Sequence, residues 1–178
     1  MTIKILEKTN GCFPMEFEQG DWFDLSLAED VKLKAPQAHK MHIRNKGKED
    51  LPEVRTRDVD FDAYIAKLGV AMELPAGYEA IVVPRSSTFK KYGIIQSNSF
   101  GVIDHSYSSD KDEWGMPMVA TRAVTIPKGT RIAQFRIQLS QKATPWQKIK
   151  WLFSSKPNLV KVLSLDNKTR GGFGSTGN

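Results

Sequence analysis

Glycine and proline interrupt this chain every few residues, and that spacing limits its fold more than any other feature. Gly11, Pro14, Gly20, Pro36, Gly47, Pro52, Gly69, Pro75, Gly77, Pro84, Gly93 and Gly101 leave room only for short elements. The apolar runs between and after them are brief: Glu79-Ala-Ile-Val-Val83 ahead of Pro84, Gly101-Val-Ile-Asp104, Ala123-Val-Thr-Ile126 and Arg131-Ile-Ala-Gln-Phe-Arg-Ile137. Short β-branched runs bounded by turn residues read as strands, and many in succession as an all-β sandwich or barrel. Leu74-Pro-Ala-Gly77 and Ile126-Pro-Lys-Gly129 repeat one turn pattern, in which proline presets φ and glycine supplies a positive φ.

Several stretches depart from this rhythm. Residues 38–58 are polar and of mixed charge, and read as an exposed insertion loop. In residues 58–69, Phe61, Tyr64, Ile65 and Leu68 have helical spacing, although a strand running into Gly69-Val-Ala-Met72 is equally allowed. Near 145–153, Trp146, Ile149, Leu152 and Phe153 fall on one face of a short helix. That stripe is expected to pack on the chain's own core, with a subunit or partner contact as the alternative. The last ten residues hold four glycines and are too flexible for a strand or helix. They also carry Arg170, Phe173, Ser175 and Thr176, groups suited to stacking and to phosphate contact.

Composition excludes several classes. No run approaches the roughly 18 apolar residues of a membrane span, and the N-terminus lacks the apolar core of a secretion signal. Cys12 is the only cysteine, so an internal disulfide is impossible, and three scattered histidines do not complete a zinc site. A cytosolic compartment fits best. The net charge of +6 favours an anionic partner but does not choose nucleic acid over a small phosphate compound. The lysines are not gathered with stacking aromatics, so no nucleic-acid module is expected. His39, His42, His105 and Cys12 carry no expected role.

Three pieces offer chemistry. Pro84-Arg-Ser-Ser87 ends a strand and supplies a guanidinium and two hydroxyls, which are good phosphate donors. Gly101-Val-Ile-Asp-His-Ser-Tyr107 puts a carboxylate at a strand end, with an aromatic ring three residues on. Lys128-Gly-Thr-Arg-Ile-Ala-Gln-Phe135 is a turn entering a strand, with Gln134 among apolar neighbours. Singly, each is as easily a surface turn or a structural strand end.

In this order, and with Gly20-Asp-Trp-Phe-Asp-Leu25 before them and Arg170-Gly-Gly-Phe-Gly-Ser-Thr-Gly177 after them, the chain resembles the homotrimeric dUTPase family. The similarity is to the phage and Gram-positive bacterial variant, which places it in a bacterial or phage-infected cytosol. It departs from the family where Tyr107 is followed by Ser-Ser-Asp rather than x-Gly, and where Lys168 stands in place of an arginine. Whether Lys168 or Arg170 meets the γ-phosphate is left open.

The resemblance implies an all-β, jelly-roll-like barrel over 1–168 with a flexible lid over 169–178, and a strand near 63–68. It implies cleavage of dUTP to dUMP and pyrophosphate, with magnesium as cofactor and sites shared between subunits. Asp104 matches the general base. Arg85, Ser86 and Ser87 match the phosphate turn, with Gln134 nearby. Asn98, Gly101 and Ile103 match the hairpin that reads the base, and Tyr107 the residue that packs on the sugar. Arg170, Phe173, Gly174, Ser175 and Thr176 match the lid, and Asp24 the acid that reaches the metal through water. The weighed alternatives are a dCTP deaminase of the same fold and a regulatory module contacting a protein through 38–58 or 144–155. The deaminase needs a glutamate after the third motif, and Met116-Pro-Met-Val-Ala-Thr-Arg122 has no acid. If Tyr107 excludes a ribose 2′-hydroxyl, Tyr107→Ala should relax discrimination against UTP, read as the dUTP/UTP ratio of kcat/KM.

Overall fold

The computed structural model describes residues 1–16, 20–154 and 156–172. In chain order the strands are β1 (Thr2–Glu7), β2 (Phe23–Ser26), β3 (Val31–Leu33), β4 (Gln37–Arg44), β5 (Val54–Asp60), β6 (Ala63–Lys67), β7 (Val70–Glu73) and β8 (Tyr78–Pro84). Helix α1 (Thr88–Tyr92) follows, then β9 (Ile94–Gln96), β10 (Gly101–Asp104), β11 (Gly115–Ala120), β12 (Val124–Ile126), β13 (Arg131–Leu139), α2 (Pro145–Leu152) and β14 (Asn158–Val162). The all-β expectation holds. Among the described residues the strands form five sheets, ordered β14-β1-β7, β10-β8-β13-β2, β6-β11-β9, β12-β3 and β4-β5.

Alternation explains which face each strand buries. In β8, Tyr78, Ala80 and Val82 point inward, and in β13 Ala133, Phe135 and Ile137 do the same. These two strands pair from Ala133 opposite Pro84 to Leu139 opposite Tyr78, and make the centre of the four-stranded sheet. Phe135 sits in the middle of the core. Its ring stacks on Phe23 at 5.2 Å and takes the edge of Trp114 at 5.2 Å. All three aromatics are buried.

Residues 58–69 enter β6, as the resemblance implied. Ala66 and Leu68 are buried while Tyr64 and Ile65 are exposed, so the helical spacing of the apolar residues was coincidental. The 38–58 segment differs from the expected loop. It is most of a β-hairpin, β4 with β5, in which every strand residue is exposed. Cross-strand hydrogen bonding satisfies the backbone without burying side chains, so high charge did not preclude strands. His39 on Asp60 (2.6 Å) and His42 on Asp58 (3.3 Å) bridge the ribbon.

Helix α2 forms where expected because its N-terminus is fully capped. Thr144 and Gln147 make a reciprocal capping box, and Pro145 occupies the first turn. The expected packing of its apolar stripe does not occur. Trp146, Ile149, Leu152 and Phe153 are exposed, and Trp151 makes the core contact instead, at 5.7 Å from Tyr78. No helix among the described residues is long and apolar enough to cross a membrane. Phe135→Ala should cost about 3–5 kcal/mol, measured as a lower urea midpoint for unfolding, because both ring partners lose their contact.

Candidate active site

A pocket of about 150 Å³ opens beside β10, lined in part by Asn98, Gly101, Ile103, Asp104, Tyr107 and Arg170. Six residues named from the sequence therefore converge on one cavity. The backbone explains how. β10 runs antiparallel to β8, with Asp104 opposite Glu79 at the end of the ladder. The chain then turns, Tyr107 N–H donating to the Asp104 carbonyl (3.1 Å), which brings the ring back over the pocket. Tyr107 Oη donates to the Glu113 carbonyl at 3.0 Å and fixes the ring.

Asp104 is surrounded by donors. Its Oδ1 accepts from Ser106 N–H (2.8 Å) and from Ser106 Oγ (2.6 Å). Arg170 Nη1 lies 3.0 Å from Oδ1 and 2.9 Å from Oδ2. Burial by itself would raise the Asp104 pKa, but the Ser106 hydrogen bonds and Arg170 outweigh it and hold the carboxyl below its usual value. The Asp104–Arg170 pair is close to half exposed on both sides. Exposed pairs of this kind contribute about 0–1 kcal/mol, so Arg170 is easily drawn away by another anion.

The chain leading to Arg170 is tied to the loop after Tyr107. Asp110 accepts from Leu165 N–H (2.7 Å) and Ser164 Oγ (2.9 Å). Asp112, 1% exposed, accepts from Thr169 Oγ1 at 2.6 Å and Ser109 N–H at 3.0 Å. Burial pushes the Asp112 pKa up, but these donors pull it down further. Two residues past Arg170 the fit becomes tight: a Cβ on Gly172 would stand 2.8 Å from the Tyr107 ring. Thus the Ser-Ser-Asp that departs from the family pattern is the anchor of the arm. Phe173, Gly174, Ser175 and Thr176 lie outside the described residues.

The second group of expected residues gathers elsewhere. Arg85 Nε reaches Asp24 Oδ1 at 2.9 Å and Arg131 Nη1 reaches Asp24 Oδ2 at 3.3 Å. Gln134 faces Asp24 in one ladder and Val83 in the other. The turn is braced by Arg85 N–H (3.0 Å) and Thr88 Oγ1 (2.6 Å), both donating to the Ile132 carbonyl. Ser86 is exposed and Ser87 stands just before α1. Asp24 is 5% exposed with both oxygens engaged. It anchors two arginines. Among the described residues no three His, Cys, Asp or Glu side chains cluster as a metal cage.

The two groups are far apart within one chain. Asp104 pairs with Glu79 near one end of β8, and Arg85 follows its other end. Six residues at about 3.3 Å each separate those ends by roughly 20 Å.

Sequence reasoning missed Ser106, Gln96, Asp112, Thr169, Arg131 and Gly172. Ser106, Arg131 and Gly172 lie inside the quoted motifs, but nothing along the chain singles them out. The others become visible through distances alone.

Comparison of folds gives the class first. The crystal structure of dUTPase from Streptococcus mutans aligns with a TM-score of 0.59 at 18% identity, covering 81% of this chain and 99% of that one. A dUTPase variant from phage phi11 of Staphylococcus aureus, whose structure shows coordination of a structural Mg(II) ion, aligns at 0.57 and 15% identity, covering 81% and 94%. This is therefore a dUTPase-type fold. At the level of sequence, the dUTPase family model matches residues 57–177. The SPbeta prophage-derived deoxyuridine 5'-triphosphate nucleotidohydrolase of Bacillus subtilis (strain 168) is 43% identical over 175 residues, 98% of this chain and 96% of the relative. The chain belongs to the dUTPase family.

Because Ser106 Oγ helps keep Asp104 ionised, Ser106→Ala should raise that pKa. A carboxylate accepts a proton only above its pKa, so if Asp104 serves as the base the acidic limb of the kcat/KM profile should move to higher pH. An unmoved limb would remove Ser106 from the control of this carboxylate.

Proposed function

We propose that this protein hydrolyses dUTP to dUMP and pyrophosphate, with Asp104 as general base. The observation that carries the reading is the Asp104 pocket, in which a donor-held carboxylate stands beside Asn98, Tyr107 and Arg170. Family membership supplies the substrate class.

In this reading the uracil lies between Asn98, Gly101 and Ile103, and the deoxyribose packs on Tyr107. Asp104 takes one proton from a water molecule. The water oxygen forms a bond to the α-phosphorus, and the bond from that phosphorus to the α,β-bridging oxygen breaks. Pyrophosphate leaves with the electron pair. The base must first be uncovered, and the triphosphate, a far denser anion than one carboxylate, draws Arg170 off Asp104. Arg170 then serves as a phosphate ligand, with Phe173, Gly174, Ser175 and Thr176 completing the lid. Arg170 lines the Asp104 pocket and Lys168 is not among its lining residues, so Arg170 is the better placed of the two.

Arg85, Ser86, Ser87 and Gln134 hold the phosphates, and most of the rate comes from positioning and charge neutralisation. Magnesium enters as part of the substrate, bound by phosphate oxygens, which suits an ion that prefers such ligands and keeps its waters. Asp24 holds Arg85 and Arg131 and would meet the ion through one of its waters.

The roughly 20 Å between Asp104 and the phosphate turn exceeds what one nucleotide in one chain can bridge while its α-phosphorus sits at the base. The separation supports sites built from more than one subunit, as in a cyclic homotrimer with three equal sites. Asp104→Asn should retain nucleotide binding and lose at least about 100-fold in turnover, measured by pyrophosphate release. Turnover within a few-fold of wild type would dismiss Asp104 as the base. Co-assembling Asp104→Asn chains with Arg85→Ala chains should restore part of the activity absent from either alone. Failure of mixed oligomers to regain any activity would argue for sites within single chains.

A further inference from the structure

We propose that Gln96 sets the base selectivity of the pocket by fixing which end of the Asn98 carboxamide faces the nucleotide. The proposal rests on the dUTPase reading of the same pocket and adds a specificity-determining residue to it.

Gln96 is the last residue of β9 and is 5% exposed. Its Nε2 donates to the Val82 carbonyl at 3.3 Å and to Asn98 Oδ1 at 2.9 Å. It also lies under the pocket floor, since a Cβ on Gly101 would stand 3.8 Å from Gln96 Nε2. Val82 belongs to the central strand β8, paired with Gly101 on one side and Phe135 on the other, so its carbonyl cannot turn away.

A carboxamide has a donor end and an acceptor end that differ little in shape, so its orientation is decided by hydrogen-bond partners. Here the decision begins at a group with one possible role. The Val82 carbonyl can only accept, so the amino end of Gln96 must face it. The same amino group faces Asn98, so Asn98 must present its oxygen. The carboxamide of Asn98, which lines the pocket, then has only its amino end left to offer. Gln96 Oε1 is buried without a hydrogen-bond partner as the amide stands, and reversing it would in addition set that oxygen against the Val82 and Asn98 oxygens, at a further desolvation penalty.

The result is a pocket wall whose polarity is inherited from a backbone carbonyl. At the position where the two pyrimidines differ, uracil shows a carbonyl acceptor and cytosine an amino donor. An amino group held outward accepts the first and opposes the second. The backbone turn supports this geometry. Ser97 N–H donates to the Pro117 carbonyl (3.0 Å) and Phe100 N–H to the Asn98 carbonyl (2.7 Å), so Asn98 has little freedom to compensate by moving. Without Gln96, Asn98 could rotate its amide and serve either base.

The test measures pyrophosphate release from dUTP, dCTP and dTTP for wild type, Gln96→Leu and Asn98→Asp. Gln96→Leu keeps the bulk and removes both amide ends, so the dUTP/dCTP ratio of kcat/KM should fall at least about 10-fold. Rejection of dTTP depends on the closeness of the backbone to the 5-methyl group and should be unchanged. Asn98→Asp keeps Gln96 and its Val82 contact but turns the outward end into an acceptor, so preference should move toward dCTP. An unchanged dUTP/dCTP ratio in Gln96→Leu, or a parallel collapse of the dUTP/dTTP ratio, would show that Gln96 only packs. If Gln96→Leu does not fold, Asn98→Asp decides, and no movement toward dCTP there overturns the relay. A wild-type protein with no preference for dUTP would instead overturn the functional reading itself, and the relay with it.

Discussion

Strand β8 is the ruler on which this molecule is laid out. It is held on both sides, by β10 over Val82 to Glu79 and by β13 along its whole length. A strand paired on two edges cannot bend or slip without moving every side chain to the wrong face. Its length therefore sets the distance between the Asp104 pocket and the Arg85 turn. Its alternation buries Tyr78, Ala80 and Val82, and its Val82 carbonyl gives polarity to the pocket wall. Packing, the proposed sharing of sites between subunits and the proposed reading of the base all refer back to this one element.

Carboxylates are used throughout as organisers. Asp24, Asp104, Asp110 and Asp112 each collect several donors, and each collection joins segments distant in sequence. The arrangement follows from cost. A carboxylate removed from water must recover its hydrogen bonds, so a buried aspartate draws backbone N–H groups, hydroxyls and guanidiniums around itself. Asp112 thereby fixes the arm at Thr169, and Asp24 orients two arginines, one just after β8 and one at the start of β13. Asp104 differs in being half open: its partner Arg170 is held by an exposed pair and by a hydrogen bond to Ser106 Oγ.

Much of this was legible beforehand. Glycine and proline spacing indicated short strands, and short strands are found. Pro84-Arg-Ser-Ser87 and Gly101-Val-Ile-Asp104 were marked as strand ends carrying polar groups, and the strands β8 and β10 end there. The misreadings have physical causes. High charge over 38–58 suggests solvent and a loop, yet a ribbon can satisfy its backbone by pairing while burying nothing. The stripe on α2 was expected inside because apolar faces usually are, but a helix capped by Thr144 and seated by Trp151 keeps that face outward. Ser106 and Gln96 were passed over because a serine or glutamine has no signature until its partner is known.

The sequence alone determined the classes of element, the turn positions and the residue types able to bind phosphate or act as a base, because these depend on neighbours along the chain. Tertiary structure alone decided which of those residues meet. It brought Arg170 onto Asp104 across 66 positions and Arg85 onto Asp24 across 61, and it set Gln96 against Val82. Such contacts are fixed by strand order and register, which a linear pattern constrains but does not choose, since many pairings bury the same apolar faces equally well.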